Sequence, residues 1–382
     1  WIYSRTGIRI MTISNNKLLM AAAGASSDPI YLLIHASTGI EVMDVTDANN
    51  PSREATIYHD DNLDGISSTY LDINNNRLYV NDYSENKLQI WNITDILNAS
   101  FVASHAVNDG GSYPSVTQGN GITKDGDYII MGNTNEITRI DVSNENSISN
   151  GTPRNVSSPG YGGEYTIMIG GNDTDSSGQT FGWLIEDSLI RIFRYDQANI
   201  SQKGYRDDTG RLAGAHYFRN RAFHDSANNL LLTLAANDAS SPISSWSYSH
   251  ADMNSSVPSF AYGTGPSYLT VWDVDIENRR LVTAKDGILY HFTYATNGSF
   301  SEQGNITNSS LFDSAPKGIA IDADRDIAFV VRRQSNSDCK LFTVDISNSS
   351  SLSVTNTYDL TGDSITNVLS CEMFKQAFDP DA

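Results

Sequence analysis

Two short acidic stretches carry the residue types and spacing of a cation-binding loop. In "DDNLDG", Asp60, Asn62 and Asp64 alternate ahead of Gly65; in "DTDSSG", Asp173, Asp175 and Ser177 alternate ahead of Gly178. Alternating oxygen ligands followed by a turn-permitting glycine form the opening half of a calcium loop. The closing bidentate carboxylate is missing: Leu71 stands where the first loop needs it. Calcium is the metal these residues would suit, with N-linked glycans the other attached group the sequence suggests. The histidines (His35, His59, His105, His216, His224, His250 and His291) show no metal-ligand spacing such as H-x-x-x-H. No G-x-S-x-G elbow and no phosphate-binding glycine motif occurs, so no catalytic set is assigned.

Asparagine chemistry is more regular. The acceptor pattern Asn-X-Ser/Thr recurs at Asn98, Asn150, Asn199, Asn254, Asn297 and Asn348, each just after a similar hydrophobic string. Asn92, Asn155, Asn172, Asn305 and Asn308 carry the same pattern at scattered places, as an Asn- and Ser-rich chain produces by accident. Cys339 and Cys371 could pair in an oxidising compartment, pinning the carboxy-terminal segment to the repeat before it, or remain two buried thiols.

The elements that must position these residues come from a repeat. "IEVMDVTD" begins at Ile40, "LQIWNITD" at Leu88, "ITRIDVSN" at Ile137, "IRIFRYDQ" at Ile190 and "LFTVDISN" at Leu341; looser copies begin at Ile8, Ile243 and Leu289. Spacings between 46 and 53 residues, filled only by strand-like runs and turns, mean repetition about an axis. Within one unit, "SSTYLDIN", "RLYVNDYS", "KLQIWNIT" and "SFVASHAV" supply four antiparallel strands, which is the blade of a β-propeller. The recurring string is the third strand, and the Asp, Asn, Ser or Thr after it satisfies backbone groups of the turn.

The chain therefore reads as one all-β propeller over 1–382, with blades near 17–60, 66–107, 115–157, 164–208, 214–262, 266–308 and 315–360. Residues 363–382 with 1–14 would build a composite eighth blade, or the ring has seven blades plus a free terminal strand that could complete a neighbouring subunit.

The stretch "YLLIHASTGIEVMDVTDANNPSREATIYHDD" (31–61) resembles the LVIVD-type repeat of secreted and cell-surface β-propellers, with weaker copies at "RIDVSN" and "TVDISN". That resemblance implies a propeller and an extracellular or cell-surface location; it brings no catalytic residues with it.

A formal net charge of −20 argues against nucleic-acid binding, and no apolar run is long enough to span a membrane. The chain opens on Trp1, which fits a product whose leader has been removed. Glycans on the third-to-fourth-strand turns would coat one face, leaving the other for protein subunits or extracellular ligands. The main expectation is a secreted or surface-exposed glycoprotein with a structural, adhesion or self-assembly role, forming a filament or surface layer. The alternative is a hydrolase or lactonase-type enzyme with a calcium-containing channel fed by Asp72, Asp273, Asp275 and Asp322, or a carbohydrate-binding module.

Overall fold

The computed structural model describes residues 2–4, 7–14, 17–22, 29–36, 39–57, 66–82, 87–107, 122–132, 136–151, 154–155, 167–174, 180–185, 189–195, 200–207, 223–234, 243–247, 259–262, 271–285, 287–308 and 316–375. Within 2–22, 154–207 and 259–262 it describes the backbone only. The chain is all-β, and its sheets are antiparallel throughout. Seven sheets of four or five strands make the blades of a propeller, each numbered here with strands a to d from the axis outward.

Blade 1 contains both ends of the ring: strand 1a is Val368–Lys375, followed outward by 1b Ile30–Ala36, 1c Gly39–Asp44 and 1d Ser52–Ile57. Blade 2 holds 2a Ile66–Asp72, 2b Arg77–Asp82, 2c Lys87–Asn92 and 2d Ser100–Ala106. Blade 3 starts at Ile122–Asp125, blade 4 at Ile167–Thr174 and blade 5 at Phe223–Asp225. Blade 6 holds 6a Val271–Asp275, 6b Arg280–Lys285, 6c Ile288–Tyr294 and 6d Phe300–Thr307. Blade 7 holds 7a Pro316–Asp322, 7b Ile327–Ser335, 7c Asp338–Asp345 and 7d Ser353–Asp359.

The composite blade differs from the expected one. The carboxy-terminal strand pairs with Ile30–Ala36, with Ser370 opposite His35 and Phe374 opposite Tyr31. Residues 7–14 take no part in it: Ile2–Ser4, Gly7–Ser14 and Lys17–Ala22 pair among themselves in a separate three-stranded sheet. Strand 1b, "IYLLIHA", is buried on both faces over six residues in succession, so it makes the better template for the closing strand.

Period-2 alternation sends successive side chains to opposite blade faces, and the apolar cores lie between blades. Leu33, Val42 and Phe374 meet Val80, Trp91 and Ile96 between blades 1 and 2. Leu32, Met43 and Cys371 meet Phe329, Val331 and Leu341 between blades 7 and 1. Blades 2 and 3, 5 and 6, and 6 and 7 are joined in the same way.

The a–b turns share a local code. Asp72, Asp225 and Asp275 each end an inner strand and accept from the backbone N–H three residues on, at 3.3, 3.1 and 3.1 Å. The residue four places after the aspartate is left-handed: Asn76, Asn229, Arg279 and, after Asp322, Asp326, with φ of 52, 53, 50 and 55°. At three of the four turns the residue is asparagine or aspartate, which tolerate that conformation; Arg279 is the exception.

Candidate functional site

The acids suggested for a channel site are used by the fold. Burial alone would raise the Asp72 and Asp275 carboxyls, but hydrogen bonds from Lys124 and Asn75 to the first, and from Asn278 and Arg280 to the second, hold both below the usual range. Asp322 is paired with Arg325 at 2.5 Å, and Asp273 accepts the Ile321 backbone N–H at 2.7 Å, tying strand 6a to 7a. These four groups build turns and blade seams rather than converging on a substrate.

A different cluster does converge, and its position follows from ring closure. His35 is the polar residue inside apolar strand 1b, and Ser370 and Glu372 alternate with apolar residues in "VLSCEMFK" of strand 1a. Because Ser370 lies opposite His35, all three side chains share the face that packs on blade 2. His35 is 2% exposed, and Ser370 and Glu372 are buried with it. Its Nδ1 lies 2.8 Å from Ser370 Oγ and its Nε2 lies 3.0 Å from Glu372 Oε1. Thr69, from strand 2a, donates its hydroxyl to the same carboxylate oxygen at 2.6 Å.

An ionised carboxylate accepts only, so the Nε2 proton faces Glu372 and Nδ1 is left to accept from Ser370. A hydroxyl bonded to a histidine whose other nitrogen is oriented by a carboxylate is the arrangement of an activated nucleophile. The cluster sits near the start of 1a and the end of 1b, where the d–a loops and b–c hairpins lie. Among the described residues this is where serine, histidine and carboxylate meet in one hydrogen-bonded chain.

Sequence reasoning missed it because the partners are 335 and 337 residues apart. The available signal was polar residues at core-facing positions of two otherwise apolar strands.

The other expected sites fall as follows. Asp60, Asn62, Asp64 and Asp175 lie outside the described residues, and Asp173 is described only as backbone in strand Ile167–Thr174. Among the described residues no group of three or more His, Cys, Asp or Glu could hold a metal. Asn199 and Asn254 lie outside the described residues; Asn155 and Asn172 are described as backbone only. Asn98, Asn297 and Asn348 are exposed on c–d turns, as is Asn305 on strand 6d. Asn92 and Asn308 are half-buried, and Asn92 accepts from Thr94. Asn150 is seated against blade 2, its Nδ2 donating to the Ala106 carbonyl at 3.1 Å while its Oδ1 is buried.

Cys339 and Cys371 are buried free thiols, not a disulfide. Cys371 abuts Gly318 on strand 7a, whereas Cys339 lies on 7c.

The fold has relatives among solved structures. A periplasmic gluconolactonase from Pseudomonas aeruginosa is similar with a TM-score of 0.68 at 10% identity, over 91% of this chain and 100% of that one. A putative 6-phosphogluconolactonase from Bacteroides fragilis gives 0.66 at 10% identity, over 92% and 100%. A hypothetical selenium-binding protein from Sulfolobus tokodaii gives 0.63 at 10% identity, over 91% and 93%. No family model and no curated protein matches the chain, the LVIVD-type repeat included. At such identities the likeness is one of fold, and the fold it shows is the β-propeller.

Proposed function

We propose that this protein is a propeller hydrolase of the lactonase type, opening a cyclic ester of a sugar acid. The observation that carries the reading is His35 held between Ser370 Oγ and the Glu372 carboxylate at a strand end of the closing blade. The likeness in fold to a periplasmic gluconolactonase and a putative 6-phosphogluconolactonase supports the choice of a lactone over other esters.

The chemistry balances with this chain's own groups. Ser370 Oγ attacks the lactone carbonyl carbon as its proton passes to His35 Nδ1, and Glu372 stabilises the imidazolium. The ring C–O bond breaks, and the departing alkoxide takes the proton back from Nδ1. Water then attacks the acyl-serine through the same histidine, releasing the hydroxy acid and restoring the Ser370 hydroxyl.

The test is the pH-stat rate of δ-gluconolactone opening by wild type, Ser370→Ala and His35→Gln, with circular dichroism confirming the fold. Removing either group is expected to lower kcat/KM by about 10³-fold. A Ser370→Ala protein with the wild-type rate overturns the reading.

A second reading, self-assembly, is favoured by the sheet of Ile2–Ser4, Gly7–Ser14 and Lys17–Ala22, which among the described residues has three strands where each blade has four or five. Deleting residues 1–14 would then dissolve any filaments seen by electron microscopy. An extracellular or cell-surface setting and calcium at Asp60, Asn62 and Asp64 remain proposals read from the sequence. Among the described residues no helix is long and apolar enough to cross a membrane.

A further inference from the structure

The strand ladders align the inner strands of different blades. Through strand b, one inner-strand residue lines up with the second residue of the recurring string: Cys371 through Ile34 with Glu41, and Thr69 through Val80 with Gln89. The same register gives Ile122 in blade 3, Met168 in blade 4, Trp272 in blade 6 and Ile319 in blade 7. This position faces the preceding blade: Ile122, Trp272, Ile319 and Cys371 each lie in the apolar core shared with it. Thr69 accordingly faces blade 1, and of the six residues it alone bears a hydroxyl.

A hydroxyl where other blades bury apolar side chains is costly unless it is bonded. The Thr69 hydroxyl bonds to Glu372 Oε1 at 2.6 Å, the same oxygen that lies 3.0 Å from His35 Nε2. Thr69 Oγ1 is 3.5 Å from Nε2 itself, too long for a good hydrogen bond, so the carboxylate is its partner. Two donors on one oxygen divide its charge. That division matters for a base. A buried carboxylate bonded to a histidine alone favours the imidazolium, whose Nδ1 already holds a proton and cannot accept one from Ser370.

We propose that Thr69 is a positioning residue of the His35 site: reaching across from blade 2, its hydroxyl fixes Glu372 Oε1 against His35 Nε2 and takes part of the carboxylate's charge, so that the imidazole is oriented and still a neutral base. The inference rests on the hydrolase reading. It also explains why the site needs two blades, since the nucleophile, base and carboxylate all come from blade 1. The other titratable groups that alternation turns into this seam are Tyr31 on strand 1b, Asp82 on 2b and Lys87 on 2c. Asp82 has its own donor, Gln89 Nε2 at 2.9 Å, and Gln89 in turn accepts from Trp91 Nε1 at 3.2 Å.

Thr69→Val and Thr69→Ser separate shape from chemistry. Valine keeps the shape and removes the donor, and the equivalent Ile122 and Ile319 show that such seams accept an apolar side chain; serine keeps the donor. Without the donor the Glu372–His35 pair takes up its proton at higher pH. The acid limb of kcat/KM for δ-gluconolactone opening is expected to move up by about one pH unit in Thr69→Val, lowering the rate on that limb about tenfold. Thr69→Ser is expected to keep the wild-type profile. Nitrogen NMR of the histidine rings, assigned with His35→Gln, needs no substrate and is expected to show the same upward move of the His35 titration. An unmoved His35 titration in Thr69→Val, or a Thr69→Ser protein shifted as far as Thr69→Val, overturns the proposal and leaves Thr69 a seam-filling residue. Ser370→Ala run alongside keeps the two readings apart. A wild-type rate there sinks the hydrolase, whereas an inactive Ser370→Ala beside a Thr69→Val enzyme with the wild-type pH profile sinks only the role of Thr69.

Discussion

Replacing Gly318 by alanine tests the link between ring closure and the His35 site. An alanine Cβ there would stand 2.5 Å from the Cys371 backbone nitrogen and 2.9 Å from both its Sγ and the Ser370 carbonyl carbon. Ordinary contact begins at 3.4 Å, so strands 7a and 1a must separate by about 0.9 Å. The obstacle is backbone, which cannot rotate aside. Overpacking of this kind costs ~1–3 kcal/mol, and the lower entropy of unfolded alanine returns ~0.4–1 kcal/mol, leaving a net loss of at most ~2.6 kcal/mol, with a midpoint of ~1.3 kcal/mol. With an unfolding entropy of ~0.8 kcal/mol/K for a chain of 382 residues, the Tm falls by only ~1–3 °C. Activity should respond far more, because the displaced atoms carry Ser370, and a misplacement of about 1 Å can cost about 10²-fold in rate. Gly304→Ala is the control: its Cβ would stand 2.4 Å from the Ser349 carbonyl oxygen between blades 6 and 7, equally strained but remote from His35. Calorimetry is expected to give similar small Tm losses for both variants, and the lactone pH-stat assay a large rate loss for Gly318→Ala alone. A Gly318→Ala protein with wild-type kcat/KM, or equal rate losses in both, refutes the reasoning.

Three further outcomes follow from the same geometry. Burial depresses the pKa of His291, so the unfolded chain binds its proton first; stability is full above the ordinary value of 6.5 and declines as pH falls below it, at a slope of up to ~1.4 kcal/mol per pH unit. Urea denaturation between pH 7.5 and 5 should show a flatter profile for His291→Gln, and parallel profiles would contradict this. Arg325 pairs with buried Asp322 and donates to the Val45 and Thr46 carbonyls of blade 1 at 2.8 and 2.9 Å. Arg325→Met should cost ~2–3 kcal/mol, the figure for a broken buried pair reduced for the partly exposed guanidinium, and a loss under ~0.5 kcal/mol in urea titration would refute the clamp. Both thiols are buried and free, so Ellman's reagent should detect none in native protein and both after denaturation; native reactivity would place them elsewhere.

The repeat was legible because blade packing writes itself locally. An alternating third strand followed by Asp, Asn, Ser or Thr is one strand and one turn, and neither needs a distant partner to be recognised. Strands 1c, 2c, 6c and 7c lie where "IEVMDV", "LQIWN", "LYHFTY" and "LFTVD" place them. The inner-strand aspartates were visible too, but their purpose was not. Asp72 with Asn75, Asp225 with Asn228 and Asp275 with Asn278 repeat one spacing, and a side chain bonded within its own turn explains them without a substrate.

Closure of the ring was only half legible. Counting periods gives the string at Ile8 a share in an eighth blade or leaves seven blades and a spare terminal strand; the described sheets follow the second count, with the carboxy-terminal segment as an inner strand. Pairing is decided instead by which edge offers the better apolar face, and Ile30–Ala36 offers six buried residues in succession. That choice creates the site. His35 enters on the strand the closing segment must find, Ser370 and Glu372 arrive on the segment itself, and Thr69 waits on blade 2. No window of sequence contains these four groups, and an open ring would not bring them together.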